Sequence, residues 1–270
     1  MAISGIGSTS PASRNFSSSH DALKRNIERL SSGKQINNAV DNAAGLAIAN
    51  QLISELNSQG QAGRNISDGL SQSDISDGAM ESQAGIVSRM RELALQSSND
   101  TLSDSARGSI QTEFASLQAE IGRIAEVTEF NGQPLLAGGE SELQVGTSTD
   151  PSSRIALATP DMGLESLGLQ DIDLSTASGS RLALDAFDAA TDTISEQRAV
   201  IGATRNRLMG AKEGTEITME NIAAAASRIE DTDVAAELSE MSLNRARETI
   251  AARLSSHEGI TAGMLVDLVG

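Results

Sequence analysis

Cysteine, tryptophan and tyrosine are absent from this chain, and phenylalanine fills only four of its 270 positions (Phe16, Phe114, Phe130 and Phe187). Without cysteine there is neither a disulfide nor a thiolate metal ligand. Aromatic side chains supply the largest buried areas in compact cores. Their scarcity predicts thin cores of Ala, Ile, Leu and Val, as between paired helices. Proline is scarce too. Pro11 stands near the start, Pro134, Pro151 and Pro160 stand in the middle, and none interrupts residues 12–133 or follows Pro160. A proline inside a helix costs ~3 kcal/mol, through a lost donor and a clash with the preceding turn. Two long uninterrupted arms around a broken centre are therefore expected, a plan that suits a rod better than a pocketed globule. No apolar run approaches the ~18 residues of a membrane span, so no membrane insertion is expected. Met1 to Ser10 lacks a basic and an apolar region, so no secretory signal is expected and export would need another route.

Positive charge is also in short supply. The formal net charge is -17, which argues against nucleic acid or anionic lipid as a partner. The distribution is uneven. Residues 1–42 carry five basic side chains against three acidic, or +2, and residues 233–270 carry three basic against six acidic, or -3. The two ends are weakly complementary in sign.

What is present is periodicity. Positions 187, 194, 201, 208, 215, 222 and 229 are Phe187, Ile194, Ile201, Leu208, Thr215, Ile222 and Ile229, a seven-residue apolar repeat broken only at Thr215. The companion row from Ala190 to Thr232 is small or polar, which lets helices approach closely. One long helix in a coiled-coil-like bundle is predicted there. Ile110, Phe114, Leu117, Ile121 and Ile124 recur at spacings of four and three. They predict an amphipathic helix capped by Ser103 or Asp104 and ended by the turn signal Phe130-Asn131-Gly132. Residues 43–98 read as a longer helix, weakened by five glycines and held by packing, through Leu46, Ile53, Leu56, Gly63, Ile66, Leu70, Ala84 and Val87.

Leu143–Val145 and Arg154–Leu157 flank a polar loop and predict a β-hairpin. At the ends, Phe16, Leu23, Ile27 and Leu30 form one stripe, and Leu243, Ala246, Ile250 and Leu254 form another, followed by Met264, Leu265 and Leu268. Neither stripe folds a short helix alone in water, so the two are expected to pair. The predicted architecture is mainly α: a long antiparallel helical, coiled-coil-like rod built from both arms, with a small central β-hairpin.

No catalytic constellation stands out. His20 and His257 have no second histidine nearby in sequence, so neither a metal site nor a cofactor is expected. Glu237 and Glu240 read as a solvated helix face rather than an acid/base pair, which would need a cleft. There is no glycine-rich phosphate loop after a strand and no HExxH. An enzyme is the least supported class.

Several motifs nonetheless resemble one family. Leu30-Ser-Ser-Gly33, Asn38-Ala-Val-Asp41-Asn-Ala-Ala-Gly-Leu-Ala-Ile48, Asn65 with Asp68-Gly69, Arg91-Glu-Leu-Ala-Leu-Gln96 and Ile124-Ala-Glu-Val-Thr-Glu-Phe-Asn-Gly132 run in order along the first arm. Gln197-Arg198, Ile201-Gly202-Ala203, Asn206-Arg207-Leu208, Asn221-Ile222 and Ser227-Arg-Ile-Glu-Asp-Thr-Asp233 run along the second. Together they resemble bacterial flagellins over nearly all of residues 1–140 and 181–250.

The resemblance implies a non-enzymatic structural subunit that polymerises into the flagellar filament for motility. Residues 1–42 and 233–270 would form an inner coiled-coil layer, in which Phe16, Leu23, Ile27 and Leu30 pack against Ile250, Leu254, Leu265 and Leu268. Residues 43–140 and 179–232 would form an outer rod with Ile110, Phe114, Leu117, Ile121, Phe187, Ile194, Ile201, Leu208, Ile222 and Ile229 in its core. Residues 141–178 would replace the large variable domains of longer relatives. Residues 255–263 depart from the family's usual final stretch. Implied partners are other copies, a filament cap, hook-junction proteins and an export chaperone, and the implied location is extracellular. Arg89, Leu93 and Glu113 occupy positions resembling the patch read by the animal innate immune receptor for flagellin. The alternatives are a hook–filament junction protein of the same plan and, from another class, a monomeric receptor ligand or adhesin.

Overall fold

In the computed structural model, residues 11–269 are described, with side chains from 14 to 254. Five helices are formed by these residues: α1 Pro11–Ser32, α2 Ala39–Ser97, α3 Asp104–Val127, α4 Ala177–Glu230 and α5 Val234–Val269. Between α3 and α4 lie two antiparallel hairpins, β1 Glu129–Phe130 with β2 Gln133–Pro134, and β3 Ala137–Gln144 with β4 Arg154–Asp161. The chain divides into two compact units, residues 57–220 and residues 1–56 with 221–270.

The central unit is organised by two buried rows. On α2 one buried row runs through Ala62, Ile66, Gly69, Ser73, Ser76, Met80, Gln83, Val87, Met90, Ala94 and Ser97, with Leu93 buried beside it. The row's spacing alternates between four and three along the whole run, a heptad seam. On α4 Ala183, Phe187, Ala190, Ile194, Ile201, Thr204, Leu208 and Thr215 are buried. Of the seven-residue repeat predicted from Phe187 to Ile229, the part from Phe187 to Thr215 is therefore a buried row. Phe114 of α3 meets Phe187 edge to face, with centroids 5.9 Å apart, the geometry that ring quadrupoles favour. Ile110 and Ile121 are buried beside it and Leu117 is half-buried.

Ion pairs set the register of α2 against α4. Asp74 pairs with Arg205, Asp77 with Arg198, Arg91 with Asp188 and Asp100 with Arg181, at 2.7–3.1 Å. Numbers rise along one helix as they fall along the other, so the pairing is antiparallel. Each exposed pair is worth only about 0–1 kcal/mol, but together they disfavour a slipped register.

Helix ends are satisfied by named groups. Ser103 caps α3 by accepting from the Ala106 N–H. Thr176 Oγ1 accepts from the Gly179 N–H at 3.0 Å and starts α4. A Cβ at Gly179 would press on the Asp173 carbonyl oxygen, so the capped turn needs glycine there. Arg107 is buried and donates to the carbonyls of Ser97, Asn99 and Leu102, which closes the C-terminal end of α2.

Asn131 and Gly132 both have positive φ (51° and 77°) and connect β1 to β2 in two residues, as a primed hairpin turn requires. The larger hairpin exceeds its expected length. Leu143–Val145 and Arg154–Leu157 were the expected strands, whereas β3 begins at Ala137, β4 runs to Asp161, and Val145 falls beyond β3. The ladder runs past Pro160 and accommodates Gly138 and Gly139 at positive φ. Ile155 packs with Ile66 and Leu208 in a second small core. This seats the hairpin on α2 and α4.

Ile222 and Ile229 are corrected in role. Both are half-buried and belong to the terminal unit rather than to the core row that ends at Thr215. Ile229 borders an open cleft with Arg29, Ile36 and Ile48, where solvent reaches it.

Candidate functional site

The terminal unit pairs α1 with α5, and its seam is polar. Asn26, buried, donates through Nδ2 to Glu237 Oε1 at 2.5 Å and accepts through Oδ1 from Asn244 Nδ2 at 2.9 Å. Arg29 Nη1 lies 3.9 Å from Glu237 Oε2. Farther along, His20 Nδ1 bonds Glu248 Oε1 at 2.7 Å and its ring stacks on Phe16. Ala251 is buried between these helices, small enough for close approach.

The apolar stripes lie elsewhere. Ile27 is 52% exposed, Ile250 60%, Leu254 55% and Phe16 37%. Leu23 and Leu30 are half-buried. Direct packing of Phe16, Leu23, Ile27 and Leu30 on Ile250 and Leu254 is therefore corrected for the single chain. Asn26, Asn244 and Glu237 hold the inward positions of the two helices, which leaves Phe16 and Ile27 of one stripe and Ile250 and Leu254 of the other exposed. The side chains of Leu265 and Leu268 lie outside the described residues. Val234, Leu238 and Leu243 of α5 are also exposed; at 100° per residue Leu243 shares a flank with Ile250 and Leu254, while Val234 and Leu238 lie on the other side.

Next to this pair both arms break, and the breaks are joined. Gln35 N–H donates to Glu230 O at 2.7 Å, and Thr232 N–H donates to Gly33 O at 2.9 Å. Lys34 Nζ meets Glu230 Oε1 at 2.6 Å. Gly33 makes the turn with φ 72°. The motif that follows is a double cap. Asn38 Oδ1 accepts from the N–H groups of Val40 and Asp41, while Asp41 Oδ2 accepts from those of Asn37 and Asn38. That reciprocal arrangement is a capping box. Asn42 leaves helical geometry (φ -165°, ψ 95°) and its Oδ1 accepts from Gly45 N–H, starting the helix anew at residue 43. A Cβ at Gly45 would collide with Ile36 and Asn42, so the second cap depends on glycine. The resemblance-bearing run Asn38 to Gly45 is thus a local folding device.

The receptor-like trio is split. Arg89 Nη2 bonds Glu113 Oε1 at 2.8 Å and Nη1 bonds Glu92 Oε2 at 2.9 Å, all exposed. Hydrogen bonds that Arg89 donates to Glu113 and then to Glu92 hold its guanidinium charged above its ordinary range. Leu93, expected beside them, is only 1% exposed and belongs to the main core. Its flank of α2 is covered, so it presents nothing outward in the single chain.

Among the described residues no group of three or more His, Asp or Glu converges as a metal site. No helix among them is long and apolar enough to cross a membrane. What the geometry offers is a terminal helix pair with an unspent apolar surface.

Comparison with known proteins agrees with that reading. The bacterial flagellin N-terminal helical region matches residues 3–141 and the C-terminal helical region matches residues 184–265. The chain belongs to the bacterial flagellin family. A 30.7 kDa flagellar filament core protein of Treponema maltophilum is 33% identical over 262 residues, covering 91% of each chain. Among solved structures, Bacillus cereus flagellin aligns with 56% of this chain and 88% of its own, at 28% identity and TM-score 0.50. A putative flagellar hook-associated protein from Vibrio parahaemolyticus shares the fold over 71% of this chain and all of its own, at 14% identity and TM-score 0.61.

Proposed function

We infer that this chain is a structural subunit that polymerises into a bacterial flagellar filament. The observation that carries the reading is the apolar surface of α1 and α5. Ile27, Ile250 and Leu254 stay exposed although the two helices are paired through Asn26, Glu237 and Asn244. Isolated exposed apolar residues are ordinary, but several large ones on a pair of helices already joined to each other support an interaction surface. A second copy is the occupant that a homopolymer supplies. Residues 1–42 and 233–270 would then form the inner layer of the filament, and the unit around Phe114 and Phe187 the outer one.

Further roles follow from the family. The chain works without catalysis, outside the cell, after export by a route other than a cleaved signal. Its partners would be a distal cap, hook-junction proteins and an export chaperone. An innate immune receptor would read Arg89 and Glu113, without Leu93. A hook-junction role shares the fold, and abundance separates the two, since a filament subunit is present in thousands of copies.

The test is polymerisation. Purified full-length protein at raised salt should form long uniform filaments in negative stain. Ile250→Asp with Leu254→Asp should leave a folded protein that forms none. Normal filaments from that variant would sink the inner-layer assignment.

A further inference from the structure

Asn131 and Gly132 form the one Asn-Gly pair in the sequence. Both residues are exposed, and nothing lies within 4 Å of where a Cβ at Gly132 would stand. The Gly132 N–H has no hydrogen-bond partner among the described residues. Other labile dipeptides are shielded differently: Asn57-Ser58, Asp68-Gly69 and Asp77-Gly78 all lie inside α2, where the helical ladder holds the backbone amides.

We propose that Asn131-Gly132 is a self-modifying site, converting through a succinimide to aspartate and isoaspartate. The Gly132 amide nitrogen, losing its proton to solvent, attacks Asn131 Cγ. A C–N bond forms, and the side-chain amide group leaves as ammonia. Water then opens the five-membered ring at either carbonyl, giving aspartate or isoaspartate. One water is consumed, one ammonia is released, and nothing is oxidised. Glycine matters because it puts no side chain in the way of the ring.

The position gives the product a consequence. Isoaspartate inserts a methylene into the main chain of a two-residue turn, and the pairing of Phe130 with Gln133 and Glu129 with Pro134 depends on that turn length. The hairpin hands the chain directly to Leu135 and Leu136, both buried. Leu135 N–H donates to Thr128 O, and Leu136 O accepts from Met162 N–H. A lengthened turn would loosen these contacts, and either product adds a negative charge to an acidic chain. The site would act as a clock of subunit age, independent of whether the subunit sits in a filament.

The experiment incubates the purified full chain in mildly alkaline buffer and maps tryptic peptides by mass with isoaspartate-specific labelling. The peptide 124–154 should gain about 1 Da before any other asparagine-containing peptide does. Gly132→Ala, checked for folding by circular dichroism, should slow the gain several-fold. Asn131→Gln, which needs a six-membered ring, should slow it as a second and independent variant. Hydrogen exchange at Leu135 and Leu136 should rise in the isoaspartate fraction. If conversion occurs in denaturant but not in the folded chain, the turn protects the site and the proposal fails. Unchanged exchange in the converted fraction would overturn the consequence assigned to it.

Discussion

Asn26 and Glu237 lie 211 positions apart in sequence and meet at 2.5 Å across the α1–α5 seam, both buried. A polar contact inside a helix pair contributes little net stability, but it tolerates few alternative registers. Asn244 extends the contact by donating to Asn26, and Arg29 approaches Glu237 from its other side. The terminal helices are thus aligned by polar groups while Phe16, Ile27, Leu243, Ile250 and Leu254 stay exposed. Intrachain pairing sets the geometry, and apolar burial is left for assembly.

The seam can be tested directly. Asn26→Leu removes a donor to Glu237 and an acceptor for Asn244, leaving a buried carboxylate with only the longer Arg29 contact. Leaving such groups unsatisfied costs about 1–3 kcal/mol. Amide exchange in α1 should accelerate accordingly, with protection around Phe114 unchanged because it belongs to the other unit. A double-mutant cycle with Glu237→Gln should show coupling between the two positions. Additive effects would mean that the contact does not organise the pair.

This seam was not legible in the sequence, and the reason is physical. Hydrophobic spacing finds apolar stripes but not which stripe stays within the chain. Phe16, Ile27 and Ile250 were readable as a stripe and misleading as an intrachain contact. The buried row of α2 was hidden for a related reason. Ser73, Ser76, Gln83 and Ser97 occupy seam positions, so apolar spacing marks Ile66 and Val87 on the seam and half-buried Leu46, Ile53 and Leu70 beside it, and shows the helix without showing its buried row. Ser73 bonds Gly69 O, Ser97 bonds Leu174 O, and Gln83 bonds the carbonyls of Ile121 and Met162. The Ser73 and Ser97 hydroxyls and the Gln83 amide N–H groups are spent on nearby carbonyls, while Gln83 Oε1 is buried without a partner among the described residues. By contrast, α4 declares itself from Phe187 to Leu208 because a large apolar residue recurs every seventh position.

Arg107 should prove costly to replace. It is buried and serves three carbonyls at once, those of Ser97, Asn99 and Leu102. Arg107→Ala should cost about 2–3 kcal/mol by loss of charge-assisted bonds. Arg107→Lys should recover only a minor part, since an ammonium lacks the planar fork that reaches all three. Arg154, whose pair with Glu142 is exposed, is the control and should change stability by about 0–1 kcal/mol when mutated to Lys. Urea denaturation would measure all three.

Acidification should weaken the central unit. Hydrogen bonding from Arg91 holds Asp188 below the usual carboxylate range. Ser175, through its backbone and then its hydroxyl, does the same for Asp173. Ser166 and then the Gly163 N–H lower Asp161. A carboxylate depressed on folding binds more protons unfolded than folded inside that window. Its contribution is therefore complete above the ordinary carboxylate value of about 4 and is lost as pH falls through the lower folded value. The urea midpoint should drop across that interval, and Asp188→Asn should flatten the dependence. An unchanged slope in that variant would count against the Arg91 bond as a contributor.

Ile201 and Thr215 give the sharpest comparison, because they occupy the same buried row of one helix. Ile201 lies between Ile194 and Leu208, and it joins the main core that includes Val87 and Phe187. Ile201→Ala removes a branched side chain from a packed site, so it loses transfer energy and leaves a cavity, about 2–5 kcal/mol in all. Thr215 faces Gly63 across the seam, and a Cβ on Gly63 would come no nearer to its methyl than 3.8 Å. Thr215→Ala therefore empties little volume and should cost about 1 kcal/mol or less. Both changes end in alanine, so the propensity gained is similar and largely cancels. Thermal melts of the soluble monomer would separate them. Equal small shifts would mean that the seven-residue row does not pack a core, and the assignment of α4 to a seam with α2 would fall.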